Sequence, residues 1–151
     1  MPAGPHYVAV CGASAAEPEQ LRQAEEVGRL LAGRGAVIVC GGLGGVMEAA
    51  SRGASGAGGT VVGLLPGDSR DGANAYLTVA LPTGLGQARN ALIVTAADAV
   101  IAIGQGWGTL SEIGFARRLG RRVLGLDTWR VDGLETVATP DEAVEKALSN
   151  P

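Results

Sequence analysis

The sequence predicts an α/β fold: a single doubly wound, Rossmann-like domain over residues 1–151 with a mainly parallel sheet. Three observations lead to this prediction. Short strands that are apolar throughout alternate with helical stretches, which is typical of a parallel sheet covered on both faces. Several of these strands run straight into glycine, of which the chain has 25. Right-handed crossovers between such strands produce a doubly wound sheet.

The first half of the chain is predicted to hold three strands and two helices. Pro18 suits the first turn of a helix, and Leu21, Val27 and Leu31 follow it at helical spacing. The predicted elements are a strand at 7–11, a helix from Pro18 to Gly33, a strand at 36–40, a helix from Val46 that fades by 56–59, a strand at 60–65 and a polar loop at 66–75.

The second half repeats this alternation and ends with a helix whose start is well marked. Thr139 is a suitable N-cap, with Pro140 at the first helical position and Glu142 at the third. The predicted elements are a strand at 76–81, a helix at 86–97, a strand at 99–103, a helix from Thr109 to Gly120, a strand at 122–126, a loop at 127–133 and a helix from Thr139 to about Asn150.

Composition narrows the class of protein. The net charge is −3 and no run of like charge is long, which argues against nucleic acid and membrane surfaces as partners. No apolar stretch approaches the roughly 20 residues of a transmembrane helix. Two cysteines are too few for a secreted disulfide framework, and no His, Cys or carboxylate cluster has metal-ligand spacing. We therefore expect a cytoplasmic protein with no metal site and no cofactor required for folding.

Three glycine-bearing turns are predicted at the edge of the sheet where doubly wound folds bind ligands. Glycines let backbone N–H groups approach a ligand closely, and a helix N-terminus favours a phosphate. Short strand-to-helix turns also use glycine for purely structural reasons, but three together favour a phosphorylated, nucleotide-like ligand. No turn matches the Walker pattern, and the dinucleotide-binding pattern G-x-G-x-x-G is missing after the first strand. The candidate contacts are Gly12, Ser14, Gly41, Gly42, Gly44, Gly45, Gly104, Gly106, Gly108 and Thr109.

Several polar residues near these turns have two interpretations. Residues 109–112 form a capping box in which Glu112 would bond only to the Thr109 backbone, or Glu112 is a functional carboxylate. Arg89, near a helix start, is by itself most simply a solvated charge. Cys11 and Cys40 end strands at the ligand edge, where buried thiols are usually inert.

These motifs resemble the LOG-like Rossmann superfamily, also called lysine decarboxylase-like. This superfamily includes the Lonely Guy phosphoribohydrolases and the molybdenum cofactor carrier proteins. Residues 10–14 resemble its Cys-Gly-Ser-Ser segment, and residues 41–47 resemble its glycine-rich G-G-G-x-x-G-L-M turn. Residues 104–112 resemble its signature P-G-G-x-G-T-x-x-E. The resemblance extends from about Tyr7 to Leu126.

The resemblance implies roles for individual residues. In the phosphoribohydrolases the signature glutamate and an upstream arginine carry catalysis, and these map onto Glu112 and Arg89. Gly104 replaces the signature proline, Gln105 replaces a signature glycine, and Asn90 stands where the hydrolases continue with lysine. These departures favour the smaller, carrier-like branch of the superfamily. Asn90 is a further candidate ligand contact.

Two functions remain open from the sequence. The first is binding of a phosphorylated nucleotide-like ligand such as molybdenum cofactor. The second is hydrolysis of the N-glycosidic bond of nucleoside 5′-monophosphates, with Glu112 stabilising an oxocarbenium-like state or activating water. The family also implies a homodimer or larger homo-oligomer, for which Ile93 and Phe115 are either interface or core residues.

Overall fold

The computed structural model describes residues 4–149, which form five α-helices and seven strands. A single 3₁₀ turn, Gly86–Ala88, precedes the third helix. In chain order the elements are β1 (Tyr7–Gly12), α1 (Pro18–Gly33), β2 (Val37–Cys40), α2 (Val46–Gly56), β3 (Thr60–Leu65), β4 (Val79–Pro82), α3 (Arg89–Ala96), β5 (Ala99–Gly104), α4 (Trp107–Arg118), β6 (Arg122–Thr128), β7 (Glu135–Val137) and α5 (Pro140–Leu148).

All seven strands are parallel, in the order β4-β3-β2-β1-β5-β6-β7, which confirms the predicted fold class. The chain builds outward from β1 to β4, then returns to the other side of β1 and builds outward again. The order therefore reverses between β1 and β5. In such sheets, ligands bind beyond the carboxyl ends of the strands at this reversal.

Each face of the sheet carries its own apolar core. Residues of α1, α2 and α5 pack on one face, and residues of α3 and α4 pack on the other. Strand β5 is buried along its whole length because helices cover both faces of the sheet at this position. Ile93 belongs to the second core, whereas Phe115 is 40% exposed, so only Phe115 is available to an interface.

One strand prediction is wrong in detail, and one strand was missed. The predicted strand at 76–81 begins only at Val79, because Thr78 folds onto β3 and bonds Val61 through both its N–H and its hydroxyl, each at 2.9 Å. Strand β7 was not predicted, since three residues are too short for an alternating pattern. It pairs with β6, and Arg122 and Lys146 hold Glu135 there by ion pairs of 3.1 and 2.9 Å.

The helix predictions differ mainly at their starts. The predicted helix at 86–97 divides into the 3₁₀ turn and α3, and α4 begins at Trp107 rather than at Thr109. The start of α5 is confirmed, with the Glu142 N–H donating to Thr139 Oγ1 at 3.2 Å. Between residues 4 and 149 no helix has the length and apolar character needed to cross a membrane.

Candidate functional site

A cavity of about 240 Å³ opens beyond the carboxyl ends of β1 and β5, at the reversal of strand order. Its walls come from the turns after β1 and β2 and from the first turns of α3 and α4. The sequence-predicted residues that line it are Gly12, Ser14, Gly41, Arg89, Asn90, Gly106, Gly108, Thr109 and Glu112. The structure thus brings together both candidate catalytic residues and seven of the eleven candidate ligand contacts.

Arg89 is buried, with only 4% of its surface exposed, so it is not the solvated charge that a helix-start arginine usually is. Its guanidinium donates to the Leu64 carbonyl at 2.8 Å, to the Gly41 carbonyl at 3.4 Å and to the Asn90 side-chain oxygen. These acceptors are all neutral. Burial lowers the pKa of Arg89 below its usual value, although a guanidinium remains protonated in proteins.

Asn90 connects the arginine to the start of α4. While its oxygen accepts from Arg89, its Nδ2 donates to Ser111 Oγ at 3.2 Å. Ser111 in turn donates to the Gly108 carbonyl at 2.6 Å. This chain of hydrogen bonds fixes the arginine relative to the first turn of α4.

The capping-box interpretation of Glu112 is wrong. Gly106 is the N-cap residue of α4, no side chain caps this helix, and Thr109 lies inside the first turn. Glu112 instead faces the cavity with 7% of its surface exposed, and the Cys11 thiol lines the same cavity. Burial raises the pKa of Glu112 to about 7, against the opposing effects of Cys11 and Arg89.

The first turn of α4 presents hydrogen-bond donors to the cavity. Backbone N–H groups in the first turn of a helix have no acceptor within the helix and attract anions. Thr109 is 2% exposed, and its hydroxyl is one of the few buried polar side-chain atoms between residues 4 and 149 without a partner. A buried hydroxyl left unbonded is costly, so this group is suited to a ligand.

Four predicted glycine contacts do not line the cavity, because the glycine turns pack on each other and on the sheet. Gly45 lies so close to the first turn that an added Cβ would be 2.3 Å from the Ala13 carbonyl oxygen. Gly42 is covered by Leu65, whereas a Cβ added at Gly44 would meet only the Glu48 carboxylate, at 3.8 Å. Gly104 faces Gln20, and its carbonyl accepts from Thr128.

Sequence reasoning missed several residues of the cavity wall. Trp107 and Gln87 lie at its exposed rim, and apolar side chains form its floor. Trp107 could have been predicted as a cavity residue, because it is a large apolar residue between two glycines of a candidate ligand turn. The missed residues are Val10, Cys11, Ala13, Leu43, Met47, Gln87, Ile93 and Trp107.

The two cysteines are buried and free, as expected for inert core thiols. Burial raises the pKa of the Cys11 thiol well above its usual value, and Glu112 raises it further. Burial likewise raises the pKa of Cys40, which lies 3.8 Å from Ser51 Oγ. Within residues 4–149, His, Cys, Asp and Glu side chains form no group that could hold a metal ion.

Together, the parallel sheet, the cavity at its reversal point and the helix N-terminus beside a buried arginine define a Rossmann-like α/β protein with a candidate anion site. Comparison with known proteins gives the family. The chain belongs to the SLOG cluster4 family, whose model matches residues 5–150. This result confirms the resemblance to the LOG-like superfamily and its smaller, carrier-like branch.

Relatives match over nearly the whole chain. An uncharacterized protein of Archaeoglobus fulgidus is 42% identical over 144 residues, which cover 95% of each chain. The structure of the molybdenum cofactor binding protein from Rippkaea orientalis is similar with a TM-score of 0.90, at 33% identity and 95% coverage of both chains. The molybdenum cofactor carrier protein of Chlamydomonas reinhardtii gives a TM-score of 0.86 at 29% identity, over 95% of this chain and 96% of that one.

Proposed function

We propose that this protein binds a phosphorylated, nucleotide-like small molecule and acts as a carrier of the molybdenum cofactor type. The observation that carries this proposal is the buried guanidinium of Arg89 in a cavity walled by helix N–H groups. The ion pairs formed by residues 4–149 all lie elsewhere. A buried charge without a paired partner is unfavourable, and a bound anion relieves that cost.

The charge balance inside the cavity also favours an anion. Glu112 is the carboxylate that lines it, and with a pKa of about 7 a large fraction of Glu112 is neutral near neutral pH. When Glu112 is neutral, the charge of Arg89 is not balanced, and the cavity carries a net positive charge. A phosphate accepts hydrogen bonds from a guanidinium, from backbone N–H groups and from a hydroxyl such as that of Thr109.

The size of the cavity supports a ligand that is only partly enclosed. Its 240 Å³ lies below the roughly 300 to 1,000 Å³ of pockets that enclose drug-sized ligands. A phosphate and the atoms next to it fit inside, and the rest of a nucleotide-like molecule extends past the rim. The solved relatives that bind or carry molybdenum cofactor support this class of cargo.

Native mass spectrometry of the purified protein, followed by calorimetric titration with ribose 5-phosphate and guanosine 5′-monophosphate, tests the proposal. We expect either a co-purified phosphorylated molecule or saturable binding of at least one of these probes. A protein that retains nothing and binds neither probe would contradict it.

A second function is supported by the meeting of Arg89 and Glu112 in one cavity. A carboxyl with a pKa near 7 is suited to exchange protons with a reacting group. The corresponding activity is hydrolysis of the N-glycosidic bond of nucleoside 5′-monophosphates, in which water adds to the sugar and free base and ribose 5-phosphate are released. Incubation with a panel of these nucleotides, with chromatographic detection of base, tests it, and turnover that persists in Glu112→Ala would refute the mechanism.

Replacing Thr109 by valine is expected to weaken binding of ribose 5-phosphate about 10-fold while raising the free energy of unfolding of the free protein by about 1 kcal/mol. Valine keeps the branched shape of Thr109 and removes its unbonded hydroxyl. Calorimetry and denaturant unfolding measure the two effects. Thr95→Val is the matched control because the Thr95 hydroxyl is exposed and bonds within α3, at 2.7 Å from the Ala91 carbonyl. Lower stability with unchanged affinity in Thr109→Val would contradict the assignment.

We further propose that the protein forms a homodimer or larger homo-oligomer. Phe115 lies on α4, Leu119 is the C-cap residue of the same helix, and Leu92 lies on the adjacent α3; all three are exposed. Exposed large apolar side chains on neighbouring helices favour contact with another protein surface. Light scattering measures the assembly in solution. Cytoplasmic location and the lack of a nucleic acid partner stay predictions from the sequence.

A further inference from the structure

Trp107 is conspicuous for its exposure. It occupies the first position of α4, lines the cavity and has 77% of its surface exposed, more than the other exposed large apolar residues between residues 4 and 149. A tryptophan in this position forgoes the stabilisation that burial of its ring would provide. An exposed aromatic ring beside a ligand cavity therefore suggests a role in contacting the ligand.

The ring of Trp107 packs against the ring of Trp129. Its centroid lies 5.0 Å from that of Trp129, with an angle of 39° between the planes. Trp129 is itself partly buried against the second core, and its indole N–H donates to the Gly106 carbonyl at 3.0 Å. The chain has only five aromatic residues, namely two Trp, two Tyr and one Phe, and its two tryptophans lie against each other beside the start of α4.

The rim also offers a polar group close to the tryptophan. Gln87, exposed in the 3₁₀ turn before α3, lines the same cavity, and its side-chain oxygen lies 3.9 Å from the Cβ position that Gly108 lacks. Its amide can both donate and accept hydrogen bonds. An aromatic face and an amide thus lie beside the donors of the first turn of α4.

We infer that Trp107 is a stacking platform for a planar nitrogen heterocycle of the purine or pterin kind, with Gln87 positioned to hydrogen-bond its edge. This inference rests on the proposed function, because the phosphate of the same molecule would occupy the cavity. Trp107 then determines specificity: it distinguishes a phosphorylated molecule with a flat ring from a phosphorylated sugar alone. Aromatic stacking favours the ring-bearing ligand by on the order of 10-fold to 100-fold.

The test compares the affinities of the full-length protein for guanosine 5′-monophosphate and ribose 5-phosphate, which differ by the base. Calorimetry gives both dissociation constants, and mass spectrometry verifies that the nucleotide is intact at the end. We expect the nucleotide to bind at least 10-fold more tightly to the natural protein. That ratio should fall close to one in Trp107→Ala and be largely restored in Trp107→Phe. Phe115→Ala removes an exposed aromatic ring from the same helix outside the cavity and should leave the ratio unchanged.

The outcomes separate the platform from the proposed function. Failure of the natural protein to bind either probe would overturn the proposed function. Binding of ribose 5-phosphate as tightly as the nucleotide, or an equal loss of both affinities in Trp107→Ala, would overturn the platform while leaving phosphate binding intact. A Trp107→Ala protein with an unchanged ratio and an altered assembly in light scattering would assign the ring to a protein interface and also overturn the platform.

Discussion

Replacement of Arg89 by methionine is expected to lower the affinity for ribose 5-phosphate about 30-fold or more, because truncating one partner of a buried charged contact costs about 2 to 5 kcal/mol. Methionine retains part of the apolar stem and removes the charge. Arg89→Lys keeps a positive charge but cannot reach Leu64, Asn90 and Gly41 together as the planar guanidinium does. We expect lysine to give an intermediate loss of about 10-fold.

Calorimetric titration with ribose 5-phosphate measures these losses, and circular dichroism verifies that the variants are folded. Arg117→Met is the matched control, because Arg117 lies in the last turn of α4, at the opposite end of that helix from the cavity. Its affinity should equal that of the natural protein. Equal affinities in Arg89→Met and the natural protein would show that the buried guanidinium does not bind the anion.

The sequence was sufficient to predict the fold because β1, β2, β3 and β5 are almost wholly apolar and mostly buried, with β3 partly so, and the first two helices show clear periodicity. Such patterns depend on burial alone, and burial is set by the parallel sheet itself. Short or edge strands lack this signal. Strand β7 has three residues, and β4 is half exposed, so neighbouring contacts such as those of Thr78 fixed its start.

The candidate site was predictable only in part. Glycine permits any close approach of the backbone, whether to a ligand or to another turn. Gly45 serves the second purpose, since an added Cβ would meet Ala13 and Ser14, whereas Gly41 lines the cavity beside Arg89. The sequence does not distinguish these two uses. The roles suggested for Arg89 and Glu112 came from a family resemblance. The two residues are 23 positions apart in the chain, and their meeting in one cavity is visible only in the folded structure.

The start of α4 decided the interpretation of Glu112. Gly106 and Gly108 are poor helix formers, so their presence favoured a start at Thr109. The chain nevertheless enters the helix at Trp107, with the Leu110 N–H donating to the Gly106 carbonyl at 3.1 Å. This earlier start places Thr109 within the first turn, where its hydroxyl is buried, and leaves Glu112 free of any capping role.

Glu112→Gln is therefore expected to stabilise the protein, increasingly so as the pH rises from about 4.5 to about 7. Burial raises the pKa of Glu112 from its ordinary 4.5 to about 7 in the folded protein. Across this range the folded state binds more protons at this site than the unfolded state does, so the natural protein loses stability as the pH rises. Glutamine cannot ionise and avoids this loss, which amounts to roughly 3 kcal/mol above pH 7.

Denaturant unfolding of both proteins between pH 4 and pH 8.5 measures this difference, and subtracting the two curves removes the contribution of every other titrating group. Glu142→Gln serves as a control of opposite sign. The Ala138 N–H and the Lys146 ammonium lower the pKa of the exposed Glu142 carboxyl, so that glutamine should destabilise the protein at neutral pH and do so less in acid. A pH-independent difference for Glu112→Gln would contradict the buried, readily protonated state of this carboxyl. An increasing difference would establish that the folded protein retains at this position a carboxyl that reduces its stability. Such a cost is typical of groups at functional sites and is what the proposed function predicts for Glu112.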